Sequence, residues 1–369
     1  MSTYRPTSLT VSLSRLAENF RVIQEFTHDV PAIMAVVKAD AYGHGMIPVA
    51  QTMVKAGAHA LAVATVDESI ALREAGVQSP ILILGGSTDE GLRAAVNHGV
   101  AQAIFDEHSL SVMQDEAQKR GLIALAHLKI DTGMSRVGVR TDRELIDLLA
   151  AWDRSPLVFM EGAFTHFCDA DADLEYTREQ NRRFLHAAQL IHAAGYTPIL
   201  HAAASSGIVL GQEFWHNMVR PGIALYGAEV NEQLPGIRPA QRLSTYPVRV
   251  ETIEAGDTVG YGRTFTAQRE SVIMTVPIGY GDGYHRALGN RAQALLRGRR
   301  VPVVGKVCMD QMMLDVTDVP GASMGEEVVL MGEQGGERIT PDELAAWAGT
   351  IPWEIMLSFN QRVTRKFVD

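Results

Sequence analysis

The feature that most constrains this chain is an alternation. Short apolar runs at about 32–37, 60–65, 80–84, 101–105, 124–130, 158–165, 197–201 and 217–226 are separated by stretches of helical spacing such as 46–56, 67–75, 109–119 and 142–152. Apolar runs of this length bounded by glycine or turn residues predict strands buried on both faces, and strands alternating with helices make parallel βαβ units. Eight of them predict a closed (β/α)8 TIM barrel, although an open doubly wound sheet has the same alternation. Ahead of the first run, Leu13, Leu16, Phe20, Ile23 and Phe26 recur at spacings of three and four, which predicts a helix with one apolar face. Thr65 with Glu68, Thr141 with Glu144 and Thr177 with Gln180 have the capping-box pattern, in which hydroxyl and third-residue side chain each satisfy a free amide.

Past Leu225-Tyr226-Gly227 the rhythm changes. Strand-like runs at 246–253, 271–278, 301–307, 312–316 and 327–331 follow one another, with no long helix until the capping box Thr340-Pro341-Asp342-Glu343. The fold class is therefore α/β: a (β/α)8 barrel over 1–235, then a mostly β C-terminal domain over 236–369. The boundary is expected near 228–242, which holds Pro235 and Pro239. At 369 residues the chain exceeds the usual size of one core, and 46% hydrophobic residues suffice for two.

A net charge of −10 provides no positive field to gather a polyanion, so nucleic acid is not an expected partner. The opening Met1-Ser2-Thr3-Tyr4-Arg5-Pro6-Thr7-Ser8 lacks the apolar core of a secretion signal. No apolar run approaches the roughly 18 residues of a membrane helix. A cytoplasmic location without membrane contact is expected. Cys168 and Cys308 lie far apart with no Cys/His cluster, so free thiols and no metal site are expected.

Barrel chemistry collects at the C-terminal ends of the strands, with phosphate commonly held after strands seven and eight. The polar residues fall there. Lys38 follows the first run, where partial desolvation and neighbouring positive charge would lower its pKa and free the amine to attack carbonyls, as in Schiff-base lysines. A lysine that merely ends a strand is the plain alternative. Arg136 follows the fifth run, His166 ends the sixth, His201 and Ser205 end the seventh, and Arg220, Gly222 and Ile223 belong to the eighth. Ser205-Ser206-Gly207 suits the opening of a short helix that offers hydroxyls and amides to an anion, and Gly222 lets backbone amides approach closely.

His201 is expected as a hydrogen-bonded residue of the barrel top rather than a base. Lys129, inside a strand, either pairs with a carboxylate or has its amine neutralised. Cys168 is not expected to be a nucleophile despite standing two residues after His166. In the second domain Tyr261 stands between Gly260 and Gly262, which predicts a turn with an exposed phenol. Gly279-Tyr280-Gly281-Asp282-Gly283-Tyr284 and Cys308-Met309-Asp310-Gln311 are dense in residues suited to a site entrance.

The motifs Val37-Lys38-Ala39-Asp40-Ala41-Tyr42-Gly43-His44-Gly45, Lys129-Ile130-Asp131-Thr132-Gly133-Met134-Ser135-Arg136, Thr165-His166-Phe167, Arg220-Pro221-Gly222-Ile223-Ala224-Leu225-Tyr226-Gly227, Gly260-Tyr261-Gly262, Gly279-Tyr280-Gly281-Asp282-Gly283 and Cys308-Met309-Asp310 occur in this order. With them the whole chain resembles the alanine racemases, pyridoxal 5'-phosphate (PLP) enzymes built from a barrel and a β domain.

The resemblance implies that Lys38 holds PLP covalently and is one acid/base group, with Tyr261 the other. Two are needed because racemisation removes the α-proton from one face of a planar carbanion and returns one to the opposite face. Arg220 then faces the pyridine nitrogen. A guanidinium that stays protonated cannot give that nitrogen a proton, which favours racemisation over transamination or decarboxylation. His166 orients Arg220. Tyr42, Ser205, Gly222 and Ile223 match phosphate-binding positions, and Arg136 with the backbone of Met309 matches the carboxylate site of a small amino-acid substrate. Lys129 matches a lysine often carbamylated in the family, which would make a buried cation into an anion able to hold Arg136. The resemblance also implies a head-to-tail homodimer with shared active sites, and D-alanine as a peptidoglycan precursor.

Two departures bear on the substrate. Ala204 stands where the family commonly has asparagine, and Gln361-Arg362-Val363-Thr364-Arg365 stands where many members have tyrosine before Arg-Val-Pro-Arg. They leave a serine or broad-specificity racemase as an alternative to L/D-alanine interconversion. A non-catalytic PLP carrier, which resembles only the barrel, and a PLP-barrel decarboxylase, whose C-terminal cysteine motif is absent here, are the other readings.

Overall fold

A computed structural model of the chain describes residues 4–28, 31–228 and 233–369. Residues 1–3 of the opening stretch and 229–232 of the expected domain boundary lie outside the described residues. The first strand, β1 (Ser8–Ser12), leads through the cap Ser12, whose hydroxyl accepts from Arg15 N, into the helix Leu13–Phe26. The barrel follows as β2 (Ala32–Val36), β3 (Ala60–Val63), β4 (Ile81–Ile83), β5 (Ala101–Ile104), β6 (Ala124–Lys129), β7 (Val158–Phe164), β8 (Ile199–His201) and β9 (Met218–Val219). Each strand pairs in parallel with the next, and β9 closes on β2. Runs such as Ala60-Leu61-Ala62-Val63 are buried along their whole length, as expected for strands with helices outside and packed side chains inside.

The eighth strand is much shorter than the run at 217–226. Pro221 has no N–H to extend the ladder, and the Gly222 amide leaves it to donate to Ser205 Oγ at 3.1 Å. Ile223–Tyr226 is a helical turn, so Gly222 and Ile223 follow the strand instead of belonging to it. The capping boxes at Thr65 and Thr141 are present. The one expected at Thr177 is not. Asp173 caps the helix Leu174–Ala193, and Thr177 sits one turn inside it with its hydroxyl donating to Asp173 O. At Thr340 the hydroxyl caps Glu343 N with Pro341 in the first turn, but the Glu343 carboxylate is taken by Arg300.

The second domain is built on β10 (Gln241–Thr245), β11 (Arg249–Ile253), β12 (Thr258–Val259), β13 (Phe265–Thr266), β14 (Ser271–Val276), β15 (Gln293–Leu296), β16 (Arg299–Val304), β17 (Met312–Asp315), β18 (Val328–Gln334), β19 (Glu337–Ile339) and β20 (Thr364–Val368). Of the run at 246–253 only Arg249–Ile253 is strand; residues 246–248, with Pro247, link β10 to β11. The main sheet runs β11-β14-β17-β16-β15-β18-β10-β1-β20, while β12 and β13 form a separate ribbon. Ser8–Ser12, expected as part of the barrel segment, therefore lies in the second sheet between β10 and β20. Traffic also runs the other way: Met356, in the helix Pro352–Ser358, is buried in the barrel core.

Candidate active site

The loop after β2 carries the first functional side chain. From Ala39 to Tyr42 four consecutive residues hold φ between 52° and 54°. Each costs roughly 1–2 kcal/mol outside glycine, so the surroundings must hold the turn. Ala39 N donates to Glu68 Oε1 at 2.6 Å and Met46 N to Asp40 Oδ1 at 2.8 Å. Gly43 O accepts from Gln241 Nε2 and Arg365 Nε, both at 3.0 Å. Tyr42 stacks on Tyr226 with centroids 4.7 Å apart, and His44 covers the same ring. Lys38 is thereby fixed over the barrel mouth, beyond the end of the strand. Burial, then Arg136 and Arg220, push its amine pKa down, while Glu68 opposes them.

A cavity of about 370 Å³ opens beside Lys38, and Tyr42, Lys129, Arg136, His166, Ser205, Arg220, Gly222 and Ile223 all line it. Ser205 opens a short helix, Ser205–Val209, as its sequence predicts. Its Oγ accepts from Gly222 N at 3.1 Å and Ala224 N at 3.2 Å, which leaves its own proton to donate. A Cβ on Gly222 would lie 2.5 Å from Tyr42 Oη, so only glycine keeps this corner open. Hydroxyls and turn amides around a recess are the donor set a phosphate needs, and an amine of lowered pKa is what a carbonyl needs. These residues fit the phosphate and carbonyl ends of PLP.

Arg220 is buried and pushed down to about 9 by that burial, still a cation at neutral pH. It donates to His201 Nδ1 at 2.7 Å, Thr165 O at 2.7 Å and Ala202 O at 2.9 Å, but is 3.5 Å from His166 Nδ1. The orienting partner of Arg220 within the chain is thus His201 more than His166. Both imidazoles are held well below the usual histidine range, by burial first and Arg220 second. Lys129 Nζ donates to Ile130 O at 2.9 Å and lies 5.2 Å from the Phe164 centroid. It makes no ion pair with a carboxylate among the described residues. Burial and then Arg220 bring its pKa down to about 7, so the neutral amine is accessible near neutral pH without a carboxylate partner. Cys168 Sγ lies 3.4 Å from Gln180 Oε1, not on His166, and its thiol is pushed up, mainly by desolvation.

Tyr261 and Met309 are elsewhere. Neither lines the cavity, and they are 72% and 53% exposed on the second domain. The Met309 motif is nonetheless assembled with its neighbour: Tyr280 N donates to Cys308 O and Gly281 N to Met309 O, and Arg362 bridges Asp310 and Asp282. Ala204 lines the cavity, whereas Gln361 is exposed and does not. Trp353 also lines it and had no signal in the sequence, because it comes from the C-terminal helix that packs back on the barrel. Gln180 is likewise unforeseen; its amide bonds Cys168 N, Thr132 Oγ1 and His166 O and so braces two of the loops.

Residues 11–230 match the family profile of the alanine racemase N-terminal domain, and residues 240–367 that of the C-terminal domain. An alanine racemase of Symbiobacterium thermophilum is 43% identical over 98% of this chain and 97% of its own length. Among solved structures, alanine racemase from Bacillus anthracis with bound L-Ala-P superposes with a TM-score of 0.92 at 35% identity, covering 100% of this chain and 96% of that one. Alanine racemase from Bartonella henselae with covalently bound pyridoxal phosphate gives 0.88 at 27% identity, covering 98% and 99%.

Proposed function

The chain belongs to the alanine racemase family and is a PLP-dependent isomerase of alanine, and we propose that Lys38 and the Tyr261 of a second copy are its two bases. When bound, PLP supplies a sink for the electron pair left at Cα. Lys38 Nζ moves the proton on one face of Cα, and Tyr261 Oη moves the proton on the other. Desolvation favours the neutral form of Lys38, the form able to accept that proton. Tyr42, Ser205, Gly222 and Ile223 would hold the phosphate of PLP. Arg220, a cation at neutral pH, would face the ring nitrogen as a hydrogen-bond donor that keeps its proton. Arg136, with the Met309 backbone of the second copy, holds the substrate carboxylate. Carbon dioxide added to the neutral Lys129 amine, which releases one proton to solvent, would give a carbamate anion able to hold Arg136.

One observation carries this reading: the cavity contains Lys38 but not Tyr261, whose phenol is 72% exposed on a preformed corner of the other domain. A homodimer with shared sites brings the two together. Co-expressing Lys38→Ala and Tyr261→Phe chains with different tags tests it. The doubly tagged dimer has one complete site of two and is expected to regain about half the wild-type activity. A doubly tagged dimer as inactive as either parent, or full activity in a proven monomer, would overturn the shared site.

The small Ala204 on the cavity wall supports a wider tolerance for serine beside alanine. Wild type is expected to lose its serine activity relative to alanine in Ala204→Asn, read as the ratio of kcat/KM. We place the enzyme in the cytoplasm, where D-alanine serves peptidoglycan synthesis. Among the described residues no helix is long and apolar enough to cross a membrane.

A further inference from the structure

Arg220 faces the cofactor recess, but the groups behind it form a longer construction. Its Nη1 is 2.7 Å from His201 Nδ1; His201 Nε2 is 2.8 Å from His127 Nδ1; and His127 Nε2 is 3.1 Å from Glu161 Oε2. A guanidinium can only donate, so His201 Nδ1 must accept and its proton must sit on Nε2. That proton points at His127 Nδ1, which must also accept, so the proton of His127 sits on Nε2 and points at the Glu161 carboxylate. Every bond runs in one direction, from guanidinium to carboxylate, and each histidine has one permitted neutral tautomer. Burial and then Arg220 keep His201 neutral, and the hydrogen bond from His127 holds the Glu161 carboxyl below its usual range.

The backbone is shaped for this. In the pairing of β6 with β7, Ala126 stands opposite Met160 and His127 opposite Gly162, which leaves Glu161 as the extra residue of a bulge. A bulge re-aims side chains. A Cβ on Gly162 would lie 2.2 Å from His127 Nδ1, so glycine is what admits the imidazole. Phe164 stacks on His201 with centroids 4.9 Å apart and planes within 5°. Glu161 borders a second cavity of about 210 Å³ with the strand-start residues Ala32, Ala60, Ile81, Ile199 and Met218. The chain therefore crosses the barrel from the cofactor mouth to the opposite one.

We propose that Glu161 and His127 are positioning residues that fix the ring-facing guanidinium of Arg220 through His201, from the far end of the barrel. Arg220 pairs with no carboxylate among the described residues, and its remaining acceptors are two backbone carbonyls and the more distant His166. Among the described residues, Glu161 is the carboxylate connected to it, through two polarised imidazoles. Removing that acceptor frees His127 to carry its proton on Nδ1, where it faces the Nε2 proton of His201. Relief of that clash flips His201 in turn and turns its proton toward Arg220.

The kinetic consequence rests on the reading of Arg220 given above, whereas the tautomers do not. The test uses full-length protein labelled with 15N-histidine, with and without bound PLP. Proton–nitrogen spectra of wild type and Glu161→Gln are expected to show His127 and His201 protonated at Nε2 only, since the amide oxygen still accepts. Glu161→Leu is expected to populate the Nδ1 tautomer of His127. It should lower kcat about tenfold with KM little changed, while the Gln variant stays within about threefold of wild type, the scale on which outer hydrogen-bond partners of a functional histidine act.

A proton on Nδ1 of either histidine in wild type would overturn the proposal, and so would unchanged kcat in a variant whose tautomers have changed. If Glu161→Leu does not fold, the spectra of wild type and Glu161→Gln still decide the donor direction. Wild-type protein with the expected tautomers but no racemase activity would defeat the functional reading and leave the hydrogen-bonded chain standing.

Discussion

The loop that carries Lys38 and the turn that carries Tyr261 are built in opposite ways. The Lys38 loop holds four non-glycine residues in left-handed conformation and is clamped by strands and helices from both domains. Tyr261 sits between Gly260 and Gly262, at φ 72° and 74°, on a two-stranded ribbon backed by a small cluster of Val259, Ile273 and Val304. Its ring projects outward. One proposed base thus lines a cavity of its own chain, and the other is exposed on the second domain. The contrast teaches that a side chain can be fixed by tertiary clamps or by its local backbone alone, since the shape of the Tyr261 turn comes from glycine and local packing.

The sharpest way to break this contrast is to remove each base. Lys38→Ala is expected to lose racemisation by roughly 10⁴-fold and to lose the visible absorption of covalently held PLP. Tyr261→Phe should lose about 10²- to 10³-fold and leave that absorption in place. Exchange of the α-proton in deuterated water should then persist from one enantiomer only. Symmetrical, near-normal exchange would remove Tyr261 from the mechanism.

Backbone changes give a smaller effect. Gly43→Ala meets both a φ of 77° and a Met356 carbonyl oxygen 2.3 Å from the new Cβ, so thermal unfolding should show a loss of about 1–3 kcal/mol together with weaker PLP affinity. Gly262→Ala has a similar φ, but its nearest neighbour is the movable Lys306 Nζ at 3.0 Å, and about 1 kcal/mol is expected. An equal or reversed order would mean that the two loops are clamped alike.

The last test is a pH dependence on the buried side of the comparison. Lys129 lies near 7 in the folded chain against 10.5 for an exposed lysine, mainly because it is buried. Between those values the unfolded chain binds the additional proton, so stability rises with pH across this window and is lost as pH falls back toward 7. The slope is at most about 1.4 kcal/mol per pH unit. Urea unfolding at pH 7 and pH 9 in carbonate-free buffer should show a clearly steeper rise in wild type than in Lys129→Met, where the lowered Lys38 amine still contributes. A slope undiminished by the substitution would place the titrating group elsewhere.

Much of the architecture was legible because it is periodic. Apolar runs separated by helical stretches sufficed for the barrel, and the helix Leu13–Phe26 has the limits its spacing predicts. Lys38, Arg136, His166, Ser205 and Arg220 could be gathered at one mouth because each follows a strand, and parallel barrel strands all end on the same side. Where a strand ends was less visible: Pro221 shortened the eighth, and Asp173 started a helix one turn before Thr177.

By itself, then, the sequence determined the alternation, the change of rhythm after Gly227 and the set of polar residues at the strand ends, because these are properties of neighbours along the chain. Only the tertiary structure decided that the first strand joins the last in the second sheet, that Trp353 returns to the cavity, and that His201 is the near partner of Arg220. It also decided that a bulge joins Glu161 to His127. Such pairings depend on register and closure between segments tens to hundreds of residues apart, and no local period records them. The same holds for Tyr261: its turn is written in two glycines, but its distance from Lys38 within one chain is a consequence of how the domains pack.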